Sequence, residues 1–269
     1  MVGMQHVADG TWASGMPWMR LGSGLPLVFL PGLTSTHRLP HGQDRRFQLQ
    51  EVKPFAAKRE VWWANRRPGL DPDATMADIA ADYAEALRTS FGQPVDVLGF
   101  STGGSVALQL AVDHPDVVRR LVILSAAGRL SSTGRRVQRL AADEIRAGRP
   151  RRAAAAMMAM LGNGPASSKV LAGTGWLLGP VFFGDADKDM LTTIDAEDAF
   201  NLMARLSEIV SPVLVVGGGR DKFYSETLFQ STAEQIPNGR LVLYKRRGHV
   251  GTGAPGLAAG VLEFLDGQA

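Results

Sequence analysis

Apolar residues along this chain are arranged in two ways, as short runs and as stripes at helical spacing. Nearly unbroken runs occur at Leu27-Val28-Phe29-Leu30, at Val95, Val97, Leu98 and Phe100, at Leu121-Val122-Ile123-Leu124, at Val213-Leu214-Val215-Val216 and at Leu241-Val242-Leu243-Tyr244. Runs of this length, bounded by Gly, Pro or charged residues, fit strands buried on both faces, as a parallel sheet requires. Residues 16–21 and Val61-Trp62-Trp63-Ala64 give two further short strands. Helical stripes lie between them. Ile79, Tyr83 and Leu87 recur with Ala80, Ala84 and Phe91, and Thr75 with Asp78 three residues later marks the start of that helix. Residues 105–111 continue a buried helix that His114-Pro115 ends. Ser225 caps a helix through residue 236, and residues 256–264 form a closing helix. Residues 47–59 suggest one more, with Pro54 kinking it or setting its start. Residues 37–46 are polar and aperiodic, which reads as an exposed loop with His37 and His41 on the surface.

The alternation of strand and helix implies a parallel sheet with helices on both faces. It stops near Ala126. From residue 128 to about 208 the pattern is helical only: one stripe on Val137, Leu140, Ala141 and Ile145, a second helix opened by Pro150 and broken at 162–165, and a third over 187–209. The expected organisation is therefore α/β: a first core part over residues 1–127, a helical cap inserted at 128–208, and a second core part over 209–269.

Composition narrows the classes. With 269 residues and 45% apolar content there is ample core for one large domain. A net charge of +3, with no basic run interleaved with aromatics, disfavours nucleic acid as a partner. The absence of Cys excludes disulfides, thiolate metal sites and a cysteine nucleophile. No leader pattern stands at residues 1–15 and no apolar run could cross a bilayer, so the expectation is a soluble cytoplasmic protein without metal or cofactor. The helical insert is electrically divided. Residues 129–152 hold eight Arg against Asp143 and Glu144, while residues 184–208 are strongly acidic. Two solvated faces that attract one another explain this; an arginine clamp on an anionic substrate is the alternative. Asp195 and Asp198 are expected to be solvated or to bond within the cap. Met157, Met158 and Met160 suit packing or a pliable apolar pocket.

The chemistry concentrates at Val95-Asp96-Val97-Leu98-Gly99-Phe100-Ser101-Thr102-Gly103-Gly104. Strand, Gly-x-Ser-x-Gly and helix start form the pattern of a nucleophile elbow, where Gly99 and Gly103 leave out the Cβ atoms a sharp turn cannot hold. The five-residue pattern alone is weak, since a chain with 31 Gly and 15 Ser would show about 0.2 matches by chance. The flanking strand and helix supply the missing context. Ser101, Asp221 and His249 each follow a predicted strand, and such ends line one edge of an open sheet. A serine needs a base to remove its proton, and the imidazole needs an acceptor on its other nitrogen. Pro31-Gly32-Leu33 after the apolar strand at 27–30 makes the backbone N–H of Leu33 a candidate oxyanion donor beside that of Thr102; an ordinary strand-end turn is the alternative there.

On the residues Leu30-Pro31-Gly32-Leu33, Gly99-Phe100-Ser101-Thr102-Gly103-Gly104, Gly218-Gly219-Arg220-Asp221 and Gly248-His249, the chain resembles the α/β-hydrolase-fold serine hydrolases over nearly its whole length. The resemblance implies Ser101 as nucleophile, His249 as base then acid, Asp221 as its orienter, Leu33 and Thr102 as oxyanion donors, and a helical cap after the sixth core strand. Relatives often carry His-Gly where Pro31-Gly32 stands, which removes a supporting side chain but leaves the donor. They often carry Pro a few residues after the acid, where Lys222-Phe223-Tyr224-Ser225 stands. Some take the acid from the loop after the sixth strand, but Ser125-Ala126-Ala127-Gly128 contains none. The expected activity is hydrolysis of a carboxylic ester with an apolar acyl or alkyl part held under the cap. Carbon–carbon bond hydrolysis, a lactonase or haloperoxidase-like perhydrolysis on the same triad are alternatives, with a non-catalytic ligand-binding scaffold further off.

Overall fold

A computed structural model describes residues 7–267. Eight strands form one sheet: β1 (Ala8–Thr11), β2 (Pro17–Gly22), β3 (Leu25–Leu30), β4 (Arg59–Ala64), β5 (Val95–Phe100), β6 (Val118–Leu124), β7 (Val213–Gly218) and β8 (Gly239–Tyr244). Their order is β1-β2-β4-β3-β5-β6-β7-β8. The β1–β2 and β2–β4 pairs are antiparallel and every other pair is parallel. This is the doubly wound α/β arrangement the alternation implied. β1 was not expected, because an edge strand of four half-exposed residues carries no apolar run to reveal it.

The runs of β3, β5, β6 and β7 are apolar, Asp96 aside, because both faces are covered; the run of β8, expected to be buried on both faces, is half-exposed instead, with Val242 44% exposed, because β8 is an edge strand. Val28, Leu30, Val97, Leu121, Ile123, Val213 and Val215 face one core, and Leu27, Phe29, Leu98, Val122, Leu124, Leu214 and Val216 the other. The first core is closed by α2 (Met76–Phe91), α3 (Thr102–Asp113) and α8 (Glu226–Gln235); the second by α1 (Gly42–Val52) and α9 (Leu257–Leu265). Thr75 and Asp78 form a reciprocal capping box at the start of α2, and Ser225 caps α8, as their spacing indicated. α1 begins five residues earlier than expected and ends before Pro54. Only Gln48 and Val52 on it are buried, too few to set a readable stripe.

Between β6 and β7 the chain inserts α4 (Ser132–Arg146), α5 (Pro150–Met160), α6 (Pro165–Phe183) and α7 (Lys188–Ala199). α6 was not foreseen. Its apolar residues run around the whole helix, so no stripe distinguishes it, and Val170, Trp176, Leu177 and Val181 remain exposed. It lies against α5 so closely that a Cβ on Gly179 would stand 2.5 Å from Arg151 Cα. The expected third helix is shorter than 187–209: α7 stops at Ala199 and a 3-10 turn covers Met203–Glu208. The opposed charges of the insertion meet. Arg135 and Arg139 both bond Asp198, and Arg146 bonds Asp195 at 2.6 Å.

Candidate active site

Strand order changes direction between β3 and β5. The chain leaves β3 toward β4 on one side and leaves β5 toward β6 on the other, which opens a crevice at the carboxyl ends of these two strands. The loops that border it carry Leu33 and Ser101. Ser101 has φ 51° and ψ −123°, a conformation costly for a residue with a side chain, and it persists because both flanks are pinned. Its N–H donates to Leu124 O at 2.9 Å, and its carbonyl accepts from Gly104 N at 2.7 Å. A Cβ on Gly99 would collide with the Gly103 carbonyl, and one on Gly103 with the carbonyls of Leu30 and Pro31. The glycines of the motif are thus required by backbone contacts on both sides of the turn. A Cβ on Gly32 would stand 3.4 Å from Ser101 Cβ, so the loop after β3 lies directly against the elbow. Among the described residues the backbone N–H groups of Leu33 and Thr102 have no acceptor. Thr102 is 1% exposed, so this donor is out of reach of bulk water.

His249 and Asp221 are brought together. His249 Nδ1 lies 2.8 Å from Asp221 Oδ2, and the other carboxylate oxygen accepts from the N–H groups of Phe223 at 2.9 Å and Tyr224 at 3.2 Å. A carboxylate held this way fixes the imidazole with Nδ1–H donating and leaves Nε2 as the basic nitrogen. Rings of Phe100 and Phe223 pack on the imidazole with centroids 5.5 and 5.3 Å away, and Phe100 directly precedes Ser101. Ser101 Oγ and His249 Nε2 make no hydrogen bond with each other, or with any other group, among the described residues. Such a bond is often long in a free enzyme and tightens when substrate is bound.

Four residues with no assigned role surround this constellation. Ser125, at φ 51°, sits at the end of β6; its hydroxyl donates to Val250 O at 2.9 Å and accepts from Val250 N at 2.8 Å, which fixes the residue after His249. Glu197 on α7 is fully buried, and its carboxylate accepts from Thr102 Oγ1, Ser105 Oγ, Gln138 Nε2 and Tyr224 OH. It joins the insertion to the first turn of α3 and to the loop after Asp221. Arg66 is 1% exposed and donates to the loop after β3. His37, expected on the surface, is fully buried. Its Nδ1 lies 3.0 Å from Arg67 O and its Nε2 accepts from Arg66 Nε at 3.0 Å. Burial, with the Arg66 charge beside it, lowers the His37 pKa to about 3, so the ring is neutral. A polar, aperiodic stretch looks like a surface loop whether its side chains meet water or each other, so no local pattern reveals this network. Glu51 on α1 is raised to about 7 by burial, and the His249 charge acts in the opposite direction. Among the described residues no cluster of His, Asp or Glu could hold a metal ion, and no helix is long and apolar enough to cross a membrane.

A strained Gly-x-Ser-x-Gly turn between strand and helix and a His–Asp pair on the carboxyl edge of this sheet fit one class of protein. A model of the alpha/beta hydrolase family matches residues 27–260, and the chain belongs to that family. Among curated proteins it is 27% identical over 208 residues to the pimeloyl-[acyl-carrier protein] methyl ester esterase of Neisseria meningitidis serogroup C, covering 74% of this chain and 80% of that one. Its fold is similar to that of an alpha/beta hydrolase enzyme from a Medee basin deep-sea metagenome library, with TM-score 0.81 and 15% identity over 97% of this chain and 98% of that one. It is also similar to the enol-lactonase of Burkholderia xenovorans LB400, with TM-score 0.73 and 19% identity over 97% of this chain and 96% of that one.

Proposed function

We propose that the protein hydrolyses carboxylic esters through an acyl-enzyme on Ser101. His249 Nε2 takes the Ser101 proton as Oγ attacks the ester carbonyl carbon, and Asp221 stabilises the resulting imidazolium. The carbonyl oxygen becomes an oxyanion facing the N–H groups of Leu33 and Thr102. Collapse breaks the ester bond, and His249 returns the proton to the leaving alkoxide, which departs as alcohol. Water then attacks the acyl-enzyme with His249 again as base, and carboxylate leaves with Ser101 restored. The observation that carries this reading is the Asp221-oriented imidazole packed on Phe100, the residue before an elbow serine whose neighbouring N–H donors lack acceptors. The methyl ester esterase among its relatives supports an ester over a lactone or a carbon–carbon bond as the group cleaved. The inserted helices would serve as a cap that selects an apolar acyl or alkyl group.

The test is a nitrophenyl ester series from acetate to long acyl chains, run beside Ser101→Ala. Turnover with a chain-length optimum is expected, with at least a ~10³-fold loss of kcat in the variant. Turnover that survives Ser101→Ala would refute the serine mechanism.

A further inference from the structure

Pro31 offers no side-chain donor to hold the loop that presents Leu33. Another residue supplies one from across the sheet edge. The Arg66 guanidinium, from the loop after β4, donates from Nη2 to Gly32 O at 2.9 Å and to Thr34 Oγ1 at 3.0 Å, and from Nη1 to Pro31 O at 3.4 Å. Its Nε donates to His37 Nε2 at 3.0 Å. That last bond needs His37 Nε2 bare. It is bare because Nδ1 faces the Arg67 carbonyl, which can only accept. Thr193 Oγ1, 3.2 Å from the same nitrogen, gives its own proton to Asp189 O. Arg66 makes no ion pair among the described residues. A buried guanidinium with no carboxylate in contact, only the more distant charges of Glu197 and Asp187, is costly, and a loop that needed only packing would be served better by an apolar side chain.

We infer that Arg66 is a positioning residue for the oxyanion site: by holding the Gly32 carbonyl it aims the Leu33 N–H at the reacting carbonyl, and its fixed positive charge lies behind the oxyanion. The link is the peptide plane. In a trans peptide the C=O of Gly32 and the N–H of Leu33 point in opposite directions, so a donor that pulls the carbonyl back turns the N–H forward. A flexible Gly32 leaves that plane free to rotate unless something anchors it. The two oxyanion donors are then supported differently. Arg66 anchors the loop of Leu33, while Glu197 accepts from the side chain of Thr102. This inference rests on the serine hydrolase reading and on Leu33 as a donor.

The test uses the whole chain, nitrophenyl butyrate as substrate, and phenylboronic acid, which forms a tetrahedral adduct with an active serine. Arg66→Lys keeps a charge but cannot reach Pro31, Gly32 and Thr34 together. In a variant that still melts cooperatively, kcat is expected to fall about 10- to 100-fold while KM changes less than about threefold. Affinity for phenylboronic acid should fall by the same factor as kcat/KM, and affinity for butyrate, the planar product, should not change. A purely structural role would move KM and butyrate affinity with kcat; that result, or unchanged kinetics, would overturn the inference. If no Arg66 variant folds, Thr34→Val decides. It removes one acceptor that aims Nη2, and kcat and boronate affinity should fall about three- to tenfold at constant KM; wild-type values would overturn the inference. Wild-type protein that neither cleaves esters nor binds phenylboronic acid would overturn the hydrolase reading and this inference together. Wild-type activity with an unperturbed Arg66→Lys would overturn this inference alone.

Discussion

Two non-glycine residues among those described, Ser101 and Ser125, have positive φ, and each ends a central parallel strand. At Ser101 the strained backbone presents the hydroxyl. At Ser125 it turns the hydroxyl onto both backbone groups of Val250, beside His249. Ser125→Ala leaves that N–H and C=O buried without partners. We expect a loss of about 1–3 kcal/mol in urea unfolding, with kcat lowered more than KM because the imidazole loses its anchor; a variant with unchanged stability and kinetics would contradict this. Glu51 gives a pH prediction. Its folded-state pKa of about 7 lies above the ordinary 4.5, so the folded protein holds this proton more tightly than the unfolded chain does. Stability from this group is fully present below pH 4.5, declines as pH rises toward 7 and is gone above it, an effect of up to about 3 kcal/mol. Glu51→Gln should flatten the stability profile across that window; an unchanged slope would refute it. The residues that carry the proposed chemistry were legible because each stands just after an apolar run, where the sheet edge must lie. Arg66, His37, Glu197 and Ser125 were not, because they act through partners 27 to 156 positions away in the chain, and no local pattern records such pairings.

At the scale of elements, legibility followed burial. The apolar parts of β3, β5, β6 and β7 are buried on both faces and were found within three residues of their ends, as was α2, whose stripe and capping box agree. β1 and α6 were missed because one is a polar edge and the other is apolar all round, so neither has a period to detect. α7 shows how the insertion is tied to the core. Asp189 on it accepts from the N–H groups of Gly69 and Leu70, and Glu197 accepts from α3, α4 and the loop after Asp221. Glu197→Ala strips the acceptor from four buried donors, so the unfolding free energy should drop by at least about 3 kcal/mol, measured by chemical denaturation. Tyr224→Phe, which removes one of the four, should cost about 1 kcal/mol. Equal effects of the two changes would mean that Glu197 is not the hub of that network.

For the whole molecule, the strand order sets where chemistry can occur. Reversal between β3 and β5 places the loops of Leu33 and Ser101 face to face, and the parallel run through β6, β7 and β8 delivers Ser125, Asp221 and His249 to the same edge. Ser101, Asp221 and His249, separated by 120 and 28 residues in the chain, follow β5, β7 and β8 at one edge because these strands and β6 between them all point the same way. The central claim is that Ser101 is the nucleophile and His249 its base. It is tested most directly by reacting the folded protein with a fluorophosphonate and locating the adduct by mass spectrometry. The account predicts one adduct per chain, on Ser101, formed in step with loss of esterase activity and at least ~10²-fold more slowly in His249→Ala. Labelling at another residue, or full activity in a chain labelled at Ser101, would contradict it.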